Sequence, residues 1–386
     1  MEINSFSDIL NILTAFLSLF FAFFLLTIKS KNRLSNVLIA LYLIISAIDA
    51  STVITSQLIT RKFPGLGILL NTTLFFGPPI LYLYIRSLCF YNIKFRKTHL
   101  LHAIPFVLAI VLLISRFYTE NYENKMSILS AKNEVIIEIK LVYLLLHLQT
   151  IVYIIASFLV VLRSKRLLLE NYSGGSVNHF NWLISLLTIV AFEIVVSTFK
   201  NVFLLYDLDY QYRLFMTITG TVALLFICWL VLQALRSPEL YGKVHAKQLL
   251  VKQLITDEPN TRLAKNDLSS EDENKISSIL AYMESEKPYL EPSLSIYDLS
   301  KRLDLPSKDL SILINHHLNK HFFDFVNEYR IKNAMKLLSD KNNKELTVLE
   351  ILYEVGFNSK SSFNTAFKKH TRQTPTQFRK TASAKG

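Results

Sequence analysis

Apolar residues fill the first 235 positions in long runs and thin out abruptly after Arg236. Seven runs approach or exceed the roughly 20 residues a helix needs to cross a bilayer. They are Ile9–Ile28, Val37–Leu58, Leu66–Ile85, His99–Phe117, Leu141–Leu162, Phe180–Phe199 and Leu214–Leu235. The first, third, fifth and seventh contain no Asp, Glu, Lys or Arg. Backbone polar groups cannot stay unpaired in hydrocarbon, so these runs are expected to be helices. Gly77-Pro78-Pro79 should kink the third, because proline supplies no N–H to the helix ladder.

The flanking charges orient the bundle. A cleavable signal carries positive charge before its apolar core. Here the leader MEINSFSD is acidic, and Lys29, Lys31 and Arg33 follow the core. On an N-outside arrangement the inner loops carry these three, then Arg86, Lys94, Arg96 and Lys97, then Arg163, Lys165 and Arg166. The outer loops carry fewer Lys and Arg, spread over longer segments diluted by Glu120, Glu123, Glu134 and Glu138. The positive-inside rule therefore favours N-outside and C-inside. Ionisable groups are costly at membrane depth and face the bundle interior or a cavity. Asp49 and Glu193 are thus a candidate membrane sensor site, with helix-packing glue as the plainer reading; His147 also falls within a span and Lys200 at the end of one.

After Arg236 the pattern is of soluble type. Val244–Ile255 has helical apolar spacing with lysines opposite, suited to a membrane surface, a coiled-coil-like pair or an extension of the seventh helix. Thr256–Leu268 has no periodicity and reads as a loop, and Ser270 with Glu273 resembles a capping box. The helix it opens should bury Ile276, Ile279, Leu280 and Met283. The expected organisation is a seven-span domain over 1–235, a partly helical linker over 236–275 and a soluble-type domain over 276–386.

The last hundred residues repeat themselves. Ser295-x-x-Asp298 and Thr347-x-x-Glu350 are capping boxes 52 residues apart. Each opens a short apolar-faced helix, Ile296/Leu299/Leu303 against Val348/Ile351/Val355. Each helix then breaks, at Asp304-Leu-Pro306 and at Gly356-Phe-Asn358. Beyond the break Leu310 matches Phe363, Ile314 matches Phe367 and Phe325 matches Phe378 at an offset of 53. Two short helices joined by a tight turn, with the second amphipathic, form a helix-turn-helix. Two copies, separated by one long helix over His321–Ser339, are a far more specific signal than one.

Composition agrees with both halves. The chain is 51% hydrophobic and carries a net charge of +12, which points to membrane together with nucleic acid or anionic lipid. From Val355 onward seven Lys and Arg stand against no Asp or Glu. Lys and Arg that neutralise phosphates release counterions, which supplies much of DNA affinity. Cys89 and Cys228 lie far apart, with neither zinc nor disulfide spacing. No phosphate loop, metal cluster or nucleophile triad points to an enzyme or to a cofactor.

At these residues the sequence resembles the AraC/XylS family of bacterial transcription regulators. The resemblance runs from about Tyr289 to Lys380. It is strongest at Ile351-x-x-x-Val355-Gly356-Phe357-x-Ser359-x-Ser361-x-Phe363-x-x-x-Phe367-Lys368-Lys369 and at Thr374-Pro375-x-Gln377-Phe378-Arg379. It implies a seven-helix DNA-binding domain whose two helix-turn-helix units enter successive major grooves. The membrane half departs from the soluble ligand domains common in the family, and resembles a membrane-anchored subclass. The fold expected is therefore all-α, a seven-span bundle followed by a cytoplasmic seven-helix domain.

In a helix-turn-helix the N-terminal part of the second helix meets the base edges. For recognition helices over 307–319 and 359–371, the base-reading candidates are Ser307, Lys308, Ser311, Ile312 and Asn315, then Lys360, Ser361, Asn364, Thr365 and Lys368. Lysine can bond guanine, asparagine can bond adenine, and Ile or Thr can touch a thymine methyl. Lys369, Arg372 and Arg379 lie later and suit phosphates. Leu310, Ile314, Phe357, Phe363, Phe367 and Phe378 are core by spacing. The expected partners are promoter double-stranded DNA, membrane lipid, RNA polymerase, a second copy in a homodimer, and a small-molecule or envelope signal. The competing readings are a membrane transporter or receptor with a regulatory DNA-binding tail, and a regulator freed by proteolysis within Thr256–Asn274.

Overall fold

The structure, a computed structural model, describes residues 6–28, 33–90, 97–130, 136–173, 178–206, 208–236, 270–340, 343 and 345–385. The described residues are helical and form no β-sheet; one isolated antiparallel bridge pairs Tyr172 with Ser295. Two compact units emerge, Met1–Val161 with Trp182–Leu249, and Leu162–Asn181 with Leu250–Gly386. The segments 244–255 and 256–268 lie outside the described residues.

Seven helices are long and apolar enough to cross a membrane: α1 (Phe6–Thr27), α2 (Arg33–Ala50), α3 (Pro64–Cys89), α4 (Lys97–Tyr118), α5 (Ile137–Asn171), α6 (Asn178–Leu205) and α7 (Asp209–Arg236). Helix α1 shows why they suit lipid. It exposes Ile9, Leu13, Phe16, Phe20 and Phe23 along one stripe and buries Thr14, Ala15, Ser18 and Ala22 on the other face. Large apolar groups outward and small ones inward is the membrane pattern, where close backbone approach replaces hydrophobic burial. Gly220 of α7 shows such an approach, since a Cβ there would lie 2.8 Å from the Asn11 side-chain oxygen.

Helix α3 meets the proline constraint directly. Its α-helix gives way to a 3-10 turn over Thr73–Phe76 and resumes at Gly77. Pro79 has no N–H for the Phe75 carbonyl, which accepts instead from Gln149 Nε2 of α5 at 3.1 Å. A side chain on a neighbouring helix thus satisfies the group the proline orphans. Helix α2 stops at Ala50, earlier than its apolar run, and short helical turns over Thr52–Thr55 and Ser56–Thr60 follow. Helix α5 does the reverse: it carries Arg163, Lys165 and Arg166, expected in a loop, on a continuous helix to Asn171.

From Ser270 onward the second unit contains seven α-helices among the described residues: α8 (Ser270–Ser285), α9 (Ile296–Arg302), α10 (Ser307–Ile312), α11 (Phe322–Ser339), α12 (Val348–Glu354), α13 (Lys360–Thr371) and α14 (Pro375–Lys385). Helix α8 buries Ile279 and Met283 but leaves Leu280 exposed. Helix α11 joins two cores. Phe322, Phe325 and Val326 pack with Leu299, Leu310 and Ile314, while Ile331, Ala334 and Leu338 pack with Ile351, Phe363 and Phe367. One helix is thereby common to both halves of the repeat and fixes their separation.

Between the halves lies Arg330, 0% exposed. Its Nε donates to the Tyr289 carbonyl at 2.6 Å, and Nη2 donates to the Glu291 carbonyl at 2.7 Å and the Ser173 hydroxyl at 3.0 Å. Nη1 donates to the Ser173 carbonyl at 3.0 Å and to Asn327 Oδ1 at 3.2 Å. Its guanidinium also lies over the Phe357 ring. Burial pushes the group down to about 10, so it keeps its charge at neutral pH. The strap that Arg330 holds also covers Gly356: a Cβ there would lie 2.6 Å from the Tyr289 carbonyl oxygen, at φ +89°. Substituting Gly356→Ala should strain backbone and strap together, costing more than about 2 kcal/mol. Amide hydrogen exchange across α12 to α14 should then quicken by roughly 30-fold. Unchanged exchange there would show that the turn does not need glycine.

Candidate nucleic-acid interface

The two helix-turn-helix units are α9–α10 and α12–α13, built alike from the same local chemistry. Ser295 N–H donates to Asp298 Oδ2 at 3.0 Å and Asp298 N–H donates to Ser295 Oγ at 3.2 Å. Thr347 N–H donates to Glu350 Oε2 at 2.6 Å and Glu350 N–H donates to Thr347 Oγ1 at 3.1 Å. Both are reciprocal capping boxes, which satisfy donors the helix start leaves over. The Thr347 backbone N–H and hydroxyl hold the Glu350 carboxyl below its usual range.

The turns repeat in their backbone as well. Leu305 N–H reaches the Ser300 carbonyl and Phe357 N–H reaches the Leu352 carbonyl, each at 3.0 Å. Asp304 (φ 52°) and Gly356 (φ 89°) take the left-handed conformation that ends the first helix of each unit. Asn319 (φ 50°) and Arg372 (φ 64°) take it again after the second. Sterics disfavour this region for non-glycine residues, and asparagine tolerates it best among the rest. The left-handed pairs keep the offsets of 52 and 53 read in the sequence.

Helix α13 presents the sharper face. Phe363 and Phe367 are 0% exposed, whereas Lys360, Ser361, Asn364, Thr365 and Lys368 are all exposed on the other side. Ser359 caps the helix by accepting from Ser362 N–H at 3.3 Å. In the first unit α10 ends at Ile312 and continues as a wider π-turn over Leu313–His317. Leu313 is buried beside Ile314 on the face that Leu310 begins. Lys308 is exposed, while Ser307, Ser311, Ile312 and Asn315 are half-buried. The Ser307 hydroxyl bonds Ser300 Oγ at 2.7 Å, and Asn315 Nδ2 donates to Ser311 Oγ at 3.0 Å. Ser307 therefore ties the turn before it can read anything.

The later cations divide. Arg372 is exposed at the end of α13. Lys369 is exposed but paired with Asp324 of α11 at 2.7 Å. Arg379 is half-buried, and its Nη2 is buried with no hydrogen-bond partner among the described residues. Phe378 is half-buried and packs edge-on against Phe367. Arg330 is the residue whose part the spacing did not show. Its signal was present only as a lone arginine on the inner side of an amphipathic helix.

Among the seven long apolar helices Asn201 Nδ2 lies 2.9 Å from His147 Nε2, and Thr198 Oγ1 lies 3.4 Å from His147 Nδ1. Asp49 and Glu193 come close enough to interact electrostatically with each other and with Tyr42. Among the described residues no cluster of His, Cys, Asp or Glu could hold a metal ion.

The helix-turn-helix domain family matches residues 299–381. The chain is 44% identical over 66 residues (17% of its length) to an uncharacterized HTH-type transcriptional regulator of the cgkA 5' region in Pseudoalteromonas carrageenovora. It is 29% identical over 102 residues (26%) to the HTH-type transcriptional regulator GlxA of Rhizobium meliloti. It is 32% identical over 87 residues (22%) to the uncharacterized HTH-type transcriptional regulator YdeC of Bacillus subtilis. The matches span 37%, 31% and 29% of those relatives' own lengths. No solved structure gives a significant match. With its paired capping boxes, repeated left-handed turns and shared central helix, the C-terminal part of this chain is a helix-turn-helix domain of the AraC type.

Proposed function

We propose that this protein is a membrane-embedded transcription regulator that binds specific double-stranded DNA through α10 and α13. The observation that carries this reading is α13, whose buried Phe363 and Phe367 leave five polar or basic side chains exposed together. A helix held by its apolar face and open on such a face fits a major groove. Lys308 and Ser311 are the first unit's counterparts, and Arg372 offers a phosphate contact. The seven apolar helices and the loop charges support a multi-pass protein of the bacterial inner membrane, N-terminus outside and DNA-binding domain in the cytoplasm. Bound DNA would then be promoter DNA close to the membrane, and the effect would be on RNA polymerase there.

The spanning half serves as sensor. Asp49, Glu193, His147 and Asn201 bring polar chemistry from α2, α5 and α6 into one part of the bundle, and such groups at depth are costly unless used. A small-molecule or envelope signal that binds or protonates them shifts the population of DNA-competent protein. On this reading Asp49→Asn and Glu193→Gln should each change output from a regulated reporter promoter, while DNA affinity of the purified protein stays the same. Reporter output unchanged in both would remove the sensor site from the account.

Selection from a random duplex library by the full chain in lipid nanodiscs should enrich a motif with two half-sites about 10 base pairs apart. Lys360→Ala should relax preference at one half-site by about 1–3 kcal/mol. Arg372→Asn keeps a residue that tolerates the left-handed conformation. It should weaken all sequences alike and lower the salt slope by about 1. Equal effects of both on sequence preference would contradict the division of roles.

A further inference from the structure

Helix α5 does not end where its apolar run ends. Its last turns and the two residues beyond pack inside the same compact unit as α8 to α14. The packing is tight and directional. Tyr172 is 2% exposed and Ser173 is 0% exposed. Ser173 N–H donates to the Leu294 carbonyl at 3.1 Å, and its hydroxyl donates to the same oxygen at 2.7 Å. Tyr172 forms the bridge to Ser295, the cap of the first helix-turn-helix. Arg330 closes the arrangement with two of its five hydrogen bonds on Ser173.

One turn earlier the same segment reaches the recognition helices. Arg166, Leu169 and Glu170 line a cleft of about 830 Å³ whose other walls include Ser311 and Asn315 after α9, and Thr365 of α13. Those three belong to the proposed base-reading set. A duplex seated on both recognition helices must carry its backbone across the space between them. Helix backbone already borders that space, and the Glu170 carboxylate there is paired with Arg166 at 2.8 Å, so what the segment opposes to a duplex is bulk.

We propose that residues 166–173 form an intramolecular docking segment that competes with duplex DNA for the face carrying α10 and α13. Release of Ser173 from Arg330 is the step that admits DNA. The inference rests on reading α10 and α13 as DNA-reading helices. The chemistry of the dock suits a reversible contact. Arg330 meets Ser173 through a neutral carbonyl and a hydroxyl, groups that water can replace, and no carboxylate locks it. The other end of α5 is a membrane span, so a signal that shifts α5 acts on the dock through a continuous helix.

Competition makes the two events reciprocal: whatever undocks the segment tightens DNA binding, and DNA loosens the dock by the same factor. The test uses the full chain in nanodiscs with its selected duplex. Ser173→Tyr cannot fit a fully buried site and should raise DNA affinity about tenfold. Ser173→Ala, which removes only the hydroxyl, should raise it less. In the wild-type chain a saturating duplex should speed hydrogen exchange at the Ser173 amide, while α12 to α14 stay protected in every variant. Equal or weaker DNA binding by both variants, or a Ser173 amide more protected on DNA, would overturn the competition. If neither wild type nor variants bind any duplex specifically, the DNA reading itself fails, and the dock with it.

Discussion

The C-terminal unit depends on one buried cation. Arg330 lies fully out of solvent with no carboxylate partner among the described residues, and its charge survives because five N–H donors meet five oxygen acceptors. Burying an unpaired guanidinium would be prohibitive, so these oxygens cannot be absent together. They come from separate parts of the chain: the strap at Tyr289 and Glu291, Asn327 one turn back on α11, and Ser173 after α5. The same side chain lies over Phe357, at the turn of the second unit. A single satisfied charge thereby registers the strap, the long central helix and both halves of the repeat.

The unit of seven long apolar helices, suited by length and composition to a bilayer, obeys a different constraint with the same logic. There the groups to be satisfied are backbone carbonyls, and solvent gives no help. Gln149 reaches the Phe75 carbonyl that Pro79 leaves open, and Ser35 and Ser87 bond each other at 2.8 Å between α2 and α3. Small residues on the inner face of α1, beside buried Leu10, Phe21 and Leu25, let helices approach while Phe16, Phe20 and Phe23 face outward. Two packing rules thus coexist within one chain.

Much of this was legible in the sequence. Apolar run length is a direct physical requirement of the bilayer, and all seven runs appear as helices. The helix-turn-helix pair was legible because capping boxes and left-handed stops are local chemistry, set by residues three or four apart. Gly356 and the boxes at Ser295 and Thr347 stand where the spacing placed them. What spacing could not show was long-range satisfaction. That Ser307 bonds Ser300, that Lys369 pairs with Asp324, and that Arg379 is half-buried depend on how elements meet. The π-turn after Ile312 was hidden because the spacing of Leu310, Leu313 and Ile314 suits an ordinary α-helix equally well. The extension of α5 was hidden for a related reason: its basic residues satisfy a loop and a helix leaving the membrane equally well.

The account stands on the claim that the membrane-inserted chain reads promoter DNA. Mapping DNA cross-linked to the full-length protein in intact cells tests this most directly. The account predicts discrete sites upstream of genes, recovered with the membrane fraction and lost when Lys360 and Asn364 are both replaced by alanine. DNA recovered without positional preference, or sites unaffected by that double substitution, would contradict it.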